Sequence, residues 1–245
     1  MPAVVVVCVA FRLLRDELCV WLASAASGMA LPQRDVGDRE SDDDAMRELI
    51  GPLPFARDVV RREQCALCTA PDRVDHRREI AIVSWAVVRA AHRGEEASES
   101  RGSWQAIERL PLMVADHAGI VQAAKRALDG QILNDPVTRR VLPRHLLRAA
   151  ADAIGIGPAT ATAQPALFGL LPDPFPLSAI RRFYERLLTA PIDRGNFRRK
   201  LVELRPTGIL KELPIFQRGV RHRAAQLFTF DAQAWEQWAS NNEPD

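Results

Sequence analysis

The chain has 245 residues, 47% hydrophobic and 26% charged, which suits one large or two modest globular domains and excludes a disordered or low-complexity protein. Its net charge of +2 conceals a split: from Pro176 to Arg223 twelve Arg or Lys face four acids, so this block carries +8 and the remainder −6. A basic block on an acidic body fits a reader of DNA phosphates, and it fits a merely solvated basic surface as well.

The β-branched run Ala3 to Phe11 predicts a buried strand. It lacks a basic leader, and Arg12 interrupts it too early for a signal peptide or a membrane span, so a soluble, cytoplasmic protein is expected. Polar Arg15-Asp16-Glu17 predicts a turn and Leu18 to Ala23 a second strand, which makes a hairpin. Ser24 to Arg39 reads as a loop. Ser41 is placed to cap a helix over Asp42 to Leu49, whose early acids suit a helix N-terminus and which stops at Gly51-Pro52.

Glu63 to Thr69 and Glu79 to Ala90 predict strands around a charged loop, Pro71 to Arg78. His92 to Gly102 is polar and predicts another loop. A helix is expected from about Ala115 to Leu128, with Asp116 as its cap, and a further one over Pro143 to Ala153. Gly155 to Pro165 is rich in Gly, Pro, Ala and Thr and reads as a linker. Cys8 and Cys19 sit in apolar runs and read as buried thiols. Cys65 and Cys68 form a lone CxxC with no second pair at zinc spacing, and read as ordinary reduced thiols.

Beyond the linker, Ser178 is expected to cap a helix over Ala179 to Leu188, with Ile180, Phe183, Tyr184, Leu187 and Leu188 on one face. Asp193 caps a second helix to about Leu204, with Phe197, Leu201 and Leu204 inward. Gly208 to Leu213 and Ala224 to Phe230 predict short strands around a basic loop, Pro214 to Arg223. Helix, turn, helix and a basic-tipped ribbon make a winged helix-turn-helix pattern. Arg194, Asn196, Arg198, Arg199 and Lys200 crowd the second helix, and Lys211, Arg218, Arg221 and Arg223 lie on the ribbon. Arg pairs with guanine and Asn with adenine in a major groove, but which of these residues reach bases and which phosphates stays open.

The N-terminal half, roughly residues 3 to 130, resembles the Nudix hydrolase family. That family cleaves diphosphate bonds with divalent cations held by carboxylates on one helix. Leu31-Pro32 stands where its Leu-Pro-Gly-Gly segment begins, with Gln33-Arg34 in place of the glycines. Arg47-Glu48-Leu49 matches its Arg-Glu-apolar step, but its next two acids fall on Gly51 and Pro52. The C-terminal block resembles the winged helix of NrtR-type regulators, through Tyr184-Glu185, Asn196-Phe197-Arg198-Arg199-Lys200 and Leu227-Phe228-Thr229-Phe230. Asp75-His76-Arg77 stands where those regulators carry Asp-Pro-Arg, and Asp116-His117 matches their Asp-His pair.

The resemblance implies an α+β protein, an N-terminal Nudix-like α/β/α sandwich followed by a C-terminal winged helix-turn-helix domain. The expected divisions are 1–145 for the ligand-sensing domain, 146–172 for a linker with a short helix, 173–235 for the DNA-binding domain and 236–245 for a disordered tail. It further implies a homodimeric repressor of NAD metabolism genes that binds a pseudo-palindromic double-stranded operator. It would sense ADP-ribose or a related NAD metabolite through Asp75, Arg77, Arg34 and Glu48, with no required cofactor, no catalysis, no metal and no membrane. Two rivals stay open. One is a working hydrolase of ADP-ribose or a related nucleoside diphosphate derivative, with Glu40, Asp44 and Glu48 on the metal; the other is a DNA-binding protein whose Nudix-like body only dimerises.

Overall fold

A computed structural model describes residues 2–75, 77–90, 102–155, 165–217 and 224–241. Residues 156–164 of the expected linker, 92–101 of the expected loop and 242–245 of the expected tail lie outside these residues. The chain forms two compact units, Met1–Leu128 and Asp129–Asp245.

The first unit is built on a mixed sheet. Its strands are β1 (Ala3–Leu14), β2 (Glu17–Ala25), β3 (Gly28–Ala30), β4 (Gln33–Asp35), β5 (Val59–Cys68), β6 (Glu79–Val88) and β7 (Gly102–Ala106). Among the described residues the order is β3-β2-β1-β6-β5, with β4 paired to β1 and β7 to β2. β1 runs parallel to β6 and antiparallel to β2 and β4. A strand with neighbours on both sides and both faces covered needs no polar alternation, and Val5 to Phe11 are all buried. The β1–β2 turn uses Arg15 and Asp16 at φ 49° and 68°, the left-handed pair that matches the twist of a tight hairpin. The stretch expected as a loop from Ser24 to Arg39 contains β3 and β4, and β7 was not legible in the sequence. Gly102 opens β7 because a Cβ there would collide with the Leu22 carbonyl and the Trp21 ring.

Helix α1 (Asp42–Ile50) begins where the sequence predicts, with Ser41 accepting from the Asp44 amide at 3.1 Å. Its inner residues Ala45, Met46 and Ile50 join Val6, Cys8 and Ala10 of β1 in a core completed by Trp21 and Phe55. Helix α2 (His117–Asn134) carries the chain past the division between the units. Asp116 does not cap it as expected: its carboxylate faces Arg73, and its Oδ1 has no hydrogen-bond partner.

The second unit starts with α3 (Pro136–Val141), capped by Asp135, then α4 (Arg144–Ile154), closed by Gly155 at φ 67°, and α5 (Ala166–Leu170). There follow β8 (Phe175–Pro176), α6 (Leu177–Leu188), α7 (Arg194–Val202), β9 (Leu210–Phe216), β10 (Gln226–Phe230) and α8 (Ala232–Ser240). β8, β10 and β9 form an antiparallel sheet in that order. Ile180, Phe183 and Tyr184 of α6 are buried with Phe197 and Leu201 of α7, and the Tyr184 and Phe197 rings meet edge-on at 6.0 Å.

Three boundaries differ from the expectations. α6 begins before Ser178, which caps nothing; its hydroxyl accepts from Arg182 one turn on. The compact units divide within α2, well before 145, because the helices after it share buried contacts with α6. Residues 236–240, expected in a disordered tail, belong to α8, which Asp231 caps and buried Trp235 anchors.

Candidate functional site

In the second unit the chemistry gathers on α7. Asp193 accepts from the Asn196 amide at 2.7 Å, so the helix starts where the sequence predicts. Phe197 and Leu201 hold its inner side, while Arg194, Asn196, Arg198 and Arg199 are exposed. Arg194 and Arg198 make no hydrogen bond or ion pair among the described residues. Arg199 Nη2 donates to Asn196 Oδ1 at 3.1 Å. Lys200 Nζ lies 3.0 Å from Glu203, a contact that holds the Glu203 carboxyl below its usual range. Glu185, a possible competitor for these cations, is taken by Arg181 of its own helix and by the Ile192 amide at 3.1 Å. Lys211 on β9 is drawn to Asp231, the cap of α8, so it is less free than a wing cation should be. Arg218, Arg221 and Arg223 lie outside the described residues.

In the first unit the expected ligand residues are split by β4. Successive side chains of a strand point to opposite faces. Gln33 and Asp35 therefore share one face and Arg34 takes the other. On the first face lies a cleft of about 640 Å³, lined among others by Gln33, Asp72, Arg73, Asp75, Asp116 and His117. Arg77 does not line it. Its guanidinium grips Asp35 at 2.6 and 2.9 Å and Glu79 at 2.8 Å, and it holds the Asp35 carboxyl below the usual range. On the opposite face Arg34 reaches Glu48 at 2.5 Å and Glu40 at 3.1 Å. Of the four expected residues, only Asp75 lines the cleft.

The residues that sequence reasoning missed lie under this cleft. Arg73 and Glu79 form an ion pair with both side chains almost fully buried. Arg73 Nε also lies 3.0 Å from Asp116 Oδ2, but without the geometry of a hydrogen bond. His117 is buried, and its Nδ1 accepts from the Leu31 amide at 3.0 Å, which puts its proton on Nε2. Burial pushes its pKa below the ordinary value. The Asp-His pair was visible in the sequence, but its partners Arg73 and Leu31 were not.

Asp43, Asp44 and Glu48 of α1 are engaged by arginines. Asp43 pairs with Arg62 and with Arg47 at 2.8 Å, and Asp44 with Arg47 at 2.6 Å and the Ser41 hydroxyl at 2.7 Å. Both carboxyls lie below their usual pKa, Asp43 through Arg62 first and Asp44 through Ser41 first. Among the described residues, no three His, Cys, Asp or Glu side chains gather as a metal ion requires. Cys65 and Cys68 lie on β5 as free thiols, with burial raising Cys65 to about 11.

Residues 167–230 match the family model of the NrtR DNA-binding winged helix domain. This segment is therefore similar to an NrtR winged helix. The rest of the architecture agrees in fold. Shewanella oneidensis NrtR, solved with a 27-mer DNA, superposes with a TM-score of 0.62 at 17% identity, covering 94% of each chain. A second structure of the same protein gives 0.61 at 16% identity, covering 94% of this chain and 95% of that one. A MutT/nudix family protein from Enterococcus faecalis gives 0.51 at 16% identity, covering 94% of this chain and 88% of that one. At such identities the likeness is one of fold. No curated protein sequence matches the chain. The matched segment contains α6, α7 and the strands β9 and β10, in the order of a winged helix-turn-helix pattern. No helix among the described residues is long and apolar enough to cross a membrane.

Proposed function

We propose that the chain is a cytoplasmic, ligand-responsive transcriptional regulator that represses NAD metabolism genes as a homodimer on a pseudo-palindromic operator. The observation that carries this is the exposed cationic side of α7 inside a segment similar to an NrtR winged helix. Double-stranded DNA is the partner that such a helix fits, and a two-fold dimer doubles the readout. The effector is ADP-ribose or a related NAD metabolite, as the family resemblance implies. Its site is the cleft over Arg73, with Asp75, Gln33, Asp116 and His117 at hand. Arg77 acts on that site indirectly, by holding Asp35 and Glu79, whereas Arg34 and Glu48 serve to fix α1 against β4.

The Nudix-like unit is not a hydrolase in this reading. The two acids that should follow Arg47-Glu48-Leu49 are replaced by Gly51 and Pro52, and Glu40, Asp43, Asp44 and Glu48 are bound by arginines. These residues do not fit a divalent cation site, which needs several carboxylate oxygens free of cationic partners.

The test is a binding titration of the full chain on promoter DNA from its own operon, with and without ADP-ribose. DNA affinity that shifts with ADP-ribose or a related NAD metabolite supports the proposal. Indifference to all such metabolites counts against the sensor role, and magnesium-dependent turnover of ADP-ribose abolished by Glu48→Gln would make the first unit an enzyme.

A further inference from the structure

Helix α7 presents two kinds of surface, and the structure sorts them. At about 100° per residue, the midpoint between buried Phe197 and Leu201 sets the inward direction, and Arg199 points opposite to it. Gly195, Asn196 and Val202 lie within roughly 60° of that outward line. Arg198 and Lys200 sit on the flanks, about 100° away from it, and Arg194, exposed at the start of the helix, lies about 140° away.

We propose that the outward ridge of α7, Gly195, Asn196, Arg199 and Val202, reads base edges of duplex DNA, while Arg194, Arg198 and Lys200 hold the phosphates. The inference rests on the DNA-binding reading above and deepens it. Three independent features of the ridge carry it. The Asn196–Arg199 hydrogen bond ties the carboxamide oxygen to a guanidinium N–H, so what the pair offers outward is mainly donors. Donors match the adjacent O6 and N7 acceptors of guanine. Val202 is an apolar side chain left 38% exposed on an otherwise polar surface, and a thymine methyl is its natural counterpart in the major groove.

Gly195 is the third feature. A Cβ added there would meet only Asp193 Oδ1 at 3.5 Å, an ordinary contact, and the residue does not have a positive φ. Nothing among the described residues therefore requires glycine, although glycine weakens a helix. A bare backbone on the outward face is explained by a surface that approaches closely from outside. The flanking cations are different. Arg194 and Arg198 are long, exposed and unpartnered among the described residues, and Lys200 shares only an exposed carboxylate. Such side chains suit the phosphate backbone, which attracts them without sequence information.

The experiment is selection from a random-sequence duplex library by the full chain, followed by affinity and salt titrations on the enriched duplex. Arg199→Ala is expected to lose about ten-fold or more of its preference for guanine at one position per half-site. Val202→Ser loses a thymine preference at a neighbouring position. Arg194→Ala and Arg198→Ala enrich the same sequence as the parent, bind it more weakly, and each flatten the log–log salt slope by about one. Gly195→Ala keeps or raises the melting temperature, which shows that it folds, yet loses about ten-fold or more in affinity, as expected when a close approach is blocked. The sorting is overturned if the enriched sequence is unchanged by Arg199→Ala and Val202→Ser, if Arg194→Ala alters it, or if Gly195→Ala binds like the parent. Failure of the parent chain to retain any duplex at low salt overturns the DNA-binding reading itself.

Discussion

The phenol of Tyr184 and the hydroxyl of Thr138 share a buried hydrogen bond of 2.7 Å across 46 residues of sequence. Thr138 belongs to α3 and Tyr184 to α6, so a helix that precedes the winged-helix pattern is part of the same core. Burial, with nearby Asp135 adding to it, drives the Tyr184 pKa far above the ordinary phenol value. Tyr184→Phe leaves the Thr138 hydroxyl without a partner and is expected to destabilise the second unit by roughly 1–3 kcal/mol. Urea denaturation followed by circular dichroism measures this, and an unchanged midpoint would mean that the hydrogen bond contributes nothing.

A second prediction concerns where the DNA-binding unit begins. Phe168 of α5 stacks on Phe230 at 4.5 Å and on Phe175 at 5.9 Å between ring centroids. Phe168→Ala removes a buried aromatic side chain and is expected to cost about 3–5 kcal/mol. A fragment starting at residue 173 should accordingly melt lower than one starting at 165. Equal melting temperatures for the two fragments would show that α5 is dispensable.

The buried pair beneath the cleft makes a third. Arg73→Met leaves the Glu79 carboxylate buried with Arg77 as its remaining partner. Breaking a buried pair on one side costs about 3–5 kcal/mol, and Arg77 keeps the loss toward the lower end. Adding Glu79→Leu to Arg73→Met should recover part of that loss, because the Glu79 carboxylate is then no longer stranded, although Asp116 still lacks Arg73. A double variant less stable than either single one would contradict this account. Thermal unfolding of all three proteins at one pH decides it.

His117 gives a fourth, in pH. Its folded pKa lies below the ordinary 6.5, chiefly because burial disfavours the imidazolium, and a proton on Nδ1 would displace the Leu31 amide. The unfolded chain then binds more protons than the folded one just below 6.5. The contribution is fully present above that value and is lost as pH falls toward the folded pKa. The groups near His117 act in both directions, Asp116 and Glu79 upward and Arg73 downward, but burial outweighs them. His117→Gln should flatten the acid-side slope of unfolding free energy against pH, measured by denaturant titration at several pH values. An identical slope in the variant would assign the dependence to other groups.

Much of the architecture was legible because it is written in neighbouring residues. The apolar run of β1, the Ser41 cap of α1, the Asp193 cap of α7 and the inward Phe197 and Leu201 all follow from local periodicity and capping. The short strands β3, β4 and β7 were not legible, since two of them span only three residues and pair through backbone groups that any side chain permits. The site was half legible: Asp75, Asp116, His117 and the cations of α7 carry chemistry in any context, and their residue types mark them.

What the chain by itself determined, then, is the succession of elements and the stock of charged groups, because propensities, caps and periodicity act over a few residues. Only the tertiary structure decided which charges meet. The register of β4 on β1 decides which face takes Arg34 and which takes Asp35, and the packing of loops and α2 on the sheet buries Arg73 against Glu79 and brings Leu31 to His117 across 86 residues. Those pairings depend on contacts between segments distant in sequence, and a shift of one residue would turn every side chain of β4 to the other face.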